Sequence, residues 1–179
     1  IRETQLKGFF QQKNTNTILS ALGFLKERLN LSDDAIEHGF MNVCELTGLM
    51  GRWQILKEKP LTVCDTGHNV GGWEYLSKQL EETPGTLHIV IGMVGDKDVR
   101  KVISMLPKRA KYYFTQASVA RAMPVGDFAE IAREFGLEGK SYDNVMQAYN
   151  VASSDATPED TIFIGGSTFV VADLLANLL

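Results

Sequence analysis

Cysteine is scarce in this 179-residue chain: Cys44 and Cys64 are the only two, and no metal-ligand spacing accompanies them. That excludes a disulfide-stapled secreted scaffold or a Cys-rich zinc module, and both thiols read as buried apolar side chains. Positive charge is not in excess either. Eighteen Lys and Arg against 22 Asp and Glu leave a net charge of −4. No nucleic-acid footprint is present, so an anionic ligand has to be held by local cations. No apolar run approaches membrane-spanning length and there is no basic-then-apolar leader, which points to a soluble, cytoplasmic protein without a membrane partner. Also missing are internal repeats, low-complexity tracts and the phosphate loop Gly-x-x-x-x-Gly-Lys-Ser/Thr. Residue 1 is Ile rather than Met, as expected of a fragment or an excised domain.

What is present suffices for one full core, with 44% hydrophobic and 22% charged residues. From Trp53 onward, strand and helix signals alternate. Strands are expected at Trp53–Lys57, Leu61–Asp65, Leu87–Gly92, Lys111–Thr115 and Thr161–Gly165, and helices at Gly71–Glu82, Asp98–Leu106, Val125–Phe135, Ser141–Ser153 and Thr168–Leu178. Strands rich in Val and Ile, each followed by an amphipathic helix, predict an α/β, Rossmann-like domain: a mainly parallel sheet with helices on both faces. Residues 1–50 lack this alternation. Thr4–Gly8 reads as the end of a strand, and Ile18, Leu19, Leu22, Leu25 and Leu29 recur at helical spacing between Asn14 and Leu29. Ser32-Asp33-Asp34 offers a cap for a second helix running toward Leu46. The expected organisation is a small helical segment over 1–50 and an α/β domain over 51–179.

Strand ends in such a sheet gather on one edge, so the polar residues that follow them are read together. Asp65-Thr66-Gly67-His68-Asn69 follows the second strand; an acceptor-only carboxylate suits a diol, and a His or amide can face an anion. The alternative is that Asp65 or Asn69 caps the next helix. After the third strand, Gly92-Met93-Val94-Gly95-Asp96-Lys97-Asp98 supplies a tight turn and the flexible cation Lys97, which is otherwise part of a solvated charge cluster. Arg121-Ala122-Met123-Pro124 follows the fourth strand, where Arg121 either orients an anion or ties the loop down. Gly165-Gly166-Ser167-Thr168 opens the last helix with glycines and hydroxyls, a ready anion site in which Ser167 can also be the cap. Upstream, Gly51-Arg52-Trp53 offers a planar cation about a dozen residues before Asp65, with Trp53 as its brace. His38 and His88 lack metal-ligand partners, and Trp73 reads as packing.

Gly-Arg-Trp followed by a strand and Asp-x-x-His-Asn resembles the folylpolyglutamate synthase/dihydrofolate synthase family of the Mur ligase superfamily. The family usually writes Asp-Gly-Ala-His-Asn-Pro; here Asp65, His68 and Asn69 match, while Thr66, Gly67 and Val70 depart from it. Gly8, Gln11 and Asn14 stand at the spacing of the family's Gly-x-x-Gln-x-x-Asn, which closes its ATP-binding domain and implies that 1–50 is the helical end of that domain and a linker; Asn14 could instead cap a helix beginning at Thr15. The resemblance implies that the chain is the carboxyl-terminal part of a ligase that phosphorylates a folate-type carboxylate with ATP and Mg²⁺ and joins it to L-glutamate. It implies nucleotide contacts from Asn14, Arg52, Asp65 and Lys97, substrate contacts from His68, Asn69, Ser167 and Arg121, and catalytic roles for His68 and Arg52. It further implies that no metal ligands lie here, that the Mg²⁺ ligands and the phosphate loop lie mostly in an absent amino-terminal ATPase domain, that the fragment alone is inactive, and that the protein is a monomer. The rival expectations are another Mur-type amino-acid ligase and a non-catalytic Rossmann-like binding module.

Overall fold

The computed structural model describes residues 3–95 and 98–178 and divides into two compact units, Ile1–Gln54 and Ile55–Leu179. The first holds helices α1 (Gln11–Leu25), α2 (Asp33–Met41) and α3 (Val43–Thr47). Ser32 caps α2 as its sequence predicts, its Oγ accepting from Ala35 N–H at 3.1 Å, with Asp33 and Asp34 in the first turn. The single helix expected to run from Ser32 toward Leu46 is broken at Asn42. That residue leaves helical geometry at φ −127° and ψ 23°, and its side chain donates back to the His38 carbonyl at 2.9 Å.

Three further expectations for this unit fail. Thr4–Gly8 forms no strand; Gln5 instead donates its N–H to Phe40 O at 3.1 Å and accepts from Cys44 N–H through Oε1 at 2.7 Å, tying the segment to α2 and α3. Asn14 caps nothing, because α1 begins at Gln11 and holds Asn14 inside it, with Nδ2 donating to Gln11 Oε1 at 2.9 Å. Cys44 is half-buried rather than buried, while Cys64 is fully buried and its thiol is pushed up to about 12 by burial. The Cys64 thiol is therefore packing rather than a nucleophile.

The second unit is built on a six-stranded sheet in the order β1-β2-β6-β3-β4-β5, where β1 is Gln54–Glu58, β2 Leu61–Asp65, β3 Leu87–Ile91, β4 Lys111–Phe114, β5 Gly139–Ser141 and β6 Thr161–Gly165. All pairs from β2 to β5 are parallel. Only the two residues Lys59 and Pro60 join β1 to β2, a link that permits antiparallel pairing alone. The sixth strand, β5, was not expected: its three residues are all exposed and carry no burial alternation to signal a strand. It displaces the start of the next helix from Ser141 to Val145, where Asn144 Oδ1 accepts from Gln147 N–H at 2.9 Å. The Gly139-Lys140-Ser141 triplet is thus an edge strand and not a phosphate loop.

Alternation along the strands assigns the two faces. Cys64, Val90, Tyr113, Ile162 and Ile164 point one way into a core with α7 (Val145–Asp155) and α8 (Thr168–Leu178). Their neighbours point the other way, toward α4 (Val70–Glu81), α5 (Val99–Met105) and α6 (Val125–Glu134), where Phe163 meets Trp73 edge-on at 5.9 Å and Phe114 meets Phe128 at 5.5 Å. Both faces are covered, so the central strands β3 and β6 are buried at every position.

At the amino edge of the sheet Asp160 acts as a latch. Its Oδ2 accepts from Thr157 N–H at 2.8 Å and Thr157 Oγ1 at 2.9 Å, and its Oδ1 accepts from Thr86 N–H at 2.7 Å. These bonds, the Thr157 amide foremost, hold its carboxyl well below the usual carboxylate range. A depressed carboxyl contributes stability that is present above the unfolded value of about 4 and is lost as pH falls through the folded value. Asp160→Ala should therefore lower Tm most near neutral pH, and the gap to wild type should narrow steadily below about pH 4, as read by thermal denaturation across that range.

Candidate functional site

The parallel register brings the carboxyl ends of four strands level: Asp65 pairs with Gly165, Gly165 with Ile91, and Ile91 with Phe114. The chain leaves β2 and β3 for helices on one face and leaves β6 for α8 on the other. A crevice opens where neighbouring connections diverge. There the structure has a cavity of about 470 Å³ lined by His68, Asn69, Met93, Val94, Asp98, Val99, Arg121, Ser167, Thr168 and Phe169.

Glycine makes this edge possible. A Cβ on Gly92 would lie 2.4 Å from the Thr115 carbonyl oxygen, and one on Gly166, at φ 94°, would lie 2.7 Å from that of Gly92. The loops after β3, β4 and β6 approach each other more closely than side chains allow. Further bonds fix them. Val94 and Ala122 form a bridge, Met123 N–H donates to Met93 O at 2.9 Å, and Gln116 Oε1 accepts from Val125 N–H at 2.9 Å. Asp173 on α8 accepts from Ser118 N–H at 2.6 Å and Ser118 Oγ at 2.7 Å, joining the β4 loop to the last helix.

Four residues singled out from sequence, His68, Asn69, Arg121 and Ser167, meet at this cavity. Asn69 is the α4 cap, its Oδ1 accepting from Gly72 N–H at 2.9 Å; its amide NH₂ stays available. Ser167, buried behind the opening of α8, accepts from Val170 N–H at 3.1 Å and keeps a hydroxyl proton to donate. The His68 Nδ1 lies 3.0 Å from the Thr66 carbonyl, which can only accept, so Nδ1 carries a proton and Nε2 is the atom left to a ligand. Arg121 is exposed, its guanidinium stacked 5.7 Å above the Phe169 ring. Asp65 sits at the same edge, half-buried, with Oδ1 accepting from Gly67 N–H at 2.7 Å. Asn14 and the exposed Arg52 belong to the first unit, where Asn14 lines a separate cavity of about 290 Å³ with apolar neighbours such as Ile18, Leu22 and Ile36. Lys97 lies outside the described residues.

Sequence reasoning marked the motifs that hold Asp98 and Thr168 without giving either a role of its own, and it missed Phe169, which nothing in the sequence marked as the platform for Arg121. Among the described residues no group of three His, Cys, Asp or Glu side chains could hold a metal ion.

This fold and edge are those of a known group: residues 51–168 match the family described as Mur ligase, glutamate ligase domain, and the chain belongs to it. Its curated relatives include the dihydrofolate synthase/folylpolyglutamate synthase of Escherichia coli K12, 34% identical over 166 residues. That match spans 92% of this chain and 37% of the relative. The chain therefore spans about a third of that enzyme's length. Among solved structures, a Mycobacterium tuberculosis folylpolyglutamate synthase complexed with ADP and AMPPCP matches 98% of this chain and 41% of its own, at 26% identity and a TM-score of 0.79. A bifunctional folylpolyglutamate synthase/dihydrofolate synthase with Mn, AMPPNP and L-glutamate bound matches 83% of this chain and 35% of its own, at 30% identity and a TM-score of 0.72.

The close approach of Gly166 to Gly92 is testable by itself. Gly166→Ala combines a strained φ with a Cβ set against backbone, and should cost about 2 kcal/mol or more, read as a lower denaturant midpoint with unchanged m.

Proposed function

We propose that this chain is the amino-acid-binding part of a folylpolyglutamate synthase/dihydrofolate synthase acting in the cytoplasm. The whole enzyme would join L-glutamate to a folate or dihydropteroate carboxylate. The carboxylate oxygen takes the γ-phosphoryl group of ATP, giving an acyl phosphate and ADP; the amine of glutamate then attacks the acyl carbon, and phosphate and the amine's surplus proton leave. The observation that carries this reading is the convergence of His68, Asn69, Arg121 and Ser167 on one cavity at the divergence of the strand connections. Its support from outside is the likeness to synthases, one of them captured with L-glutamate and a nucleotide analogue.

In this reading Arg121, Ser167 and Asn69 donate to the carboxylates of the amino acid, and His68 presents Nε2 toward the reacting groups. Asp65 receives the ribose hydroxyls, and Asn14, Arg52 and Lys97 serve the nucleotide, with Arg52 as a cation for its phosphates. Among the described residues no cluster fits a metal site, and in this reading the Mg²⁺ ligands lie mostly in the part of the synthase that this chain does not span. In this reading an amino-terminal ATPase part is this chain's partner, and the chain alone is inactive.

Two substitutions in the full synthase test the assignment. His68→Ala should lower kcat/KM for glutamate about 100-fold or more, and unaltered glutamate kinetics would remove it from the site. Arg52→Ala should slow ATP turnover by about the same factor, and unchanged turnover would refute a phosphate role.

A further inference from the structure

Charges of both signs line the cavity. Asp98 and Arg121 both line it, yet no ion pair joins them, and the Asp98 carboxylate makes no hydrogen bond among the described residues. A dipolar cavity of this kind fits a ligand that carries charges of both signs. The hydrogen-bond inventory points the same way. Asn69, Ser167, Thr168 and Arg121 offer donors, enough for two carboxylates, while the acceptors are the Asp98 carboxylate and the His68 Nε2. A dicarboxylate alone would leave Asp98 facing anionic ligand oxygens; an ammonium group turns that repulsion into a charge-assisted bond.

We propose that Asp98 receives the ammonium group of the amino acid in this cavity while Arg121 binds carboxylate, and that it selects an amino acid over an unsubstituted dicarboxylate. This rests on reading the cavity as an amino-acid site. Asp98 is here a specificity-determining contact: it separates ligands that share both carboxylates and differ only in the amine.

The test is a chemical-shift titration of the 179-residue chain with L-glutamate and, separately, with glutarate, which lacks the amine. Wild type, Asp98→Asn, Arg121→Ala and His68→Ala are compared. Asp98→Asn should weaken L-glutamate by about 3- to 10-fold, the range of a charged bond partly screened by solvent, and leave glutarate unchanged or tighter. Arg121→Ala should weaken both ligands. If Asp98→Asn affects both equally, or neither, the ammonium assignment is overturned; if His68→Ala alone reproduces the selective loss, the ammonium belongs to His68. Wild type that responds to neither ligand would overturn the amino-acid reading of the cavity itself, a failure distinct from that of Asp98.

Discussion

The level termination of four parallel strands is the constraint on which this molecule's chemistry depends. Hydrogen bonding between β2, β6, β3 and β4 sets the register, and register alone places Asp65, Gly165, Ile91 and Phe114 side by side. Because α4 and α8 leave that line for opposite faces, the loops between them part and a cavity opens. Residues from four separate loops, roughly a hundred positions apart in sequence, then share one concave surface.

Packing makes this edge rigid enough to present side chains. The core residues Val63, Ile89, Val90, Phe163 and Ile164 are wholly inaccessible to solvent, so the strands have little freedom to shift register. Above them, glycines at 92 and 166 allow backbone to meet backbone, and the Asp173 carboxylate fastens the β4 loop to α8. The polar groups left over are the ones with spare hydrogen-bonding capacity. Asn69 and Ser167 each use one atom to cap a helix and keep another for a ligand, so structural and functional readings of the same residue coexist.

The helices of the first unit pose a different physical problem. Gln11 is the only buried residue in α1 to α3, and large apolar side chains such as Phe24 (82% exposed) and Leu29 (60%) face solvent in the described chain. Amphipathic helices without a core of their own gain little from burial. The second unit carries the hydrophobic core and the sheet.

Much of the fold was legible because its signals are local. Alternating Val- and Ile-rich strands and amphipathic helices predicted five of the six strands and a mainly parallel sheet, and the Asp65-to-Asn69 and Gly165-to-Ser167 motifs marked two walls of the cavity. What was not legible depends on partners distant in sequence. The edge strand β5 exists because β4 offers it hydrogen bonds, not because Gly139, Lys140 and Ser141 favour extension. Asn42 ends a helix that apolar periodicity would have continued, and Gln5 takes up backbone groups of α2 and α3 where a strand was expected. The local pattern thus determined the α/β class and which residues stand at strand ends. Only the tertiary structure decided that Asp98 and Phe169 join them, because parallel pairing and diverging crossovers bring together loops that no short-range signal connects.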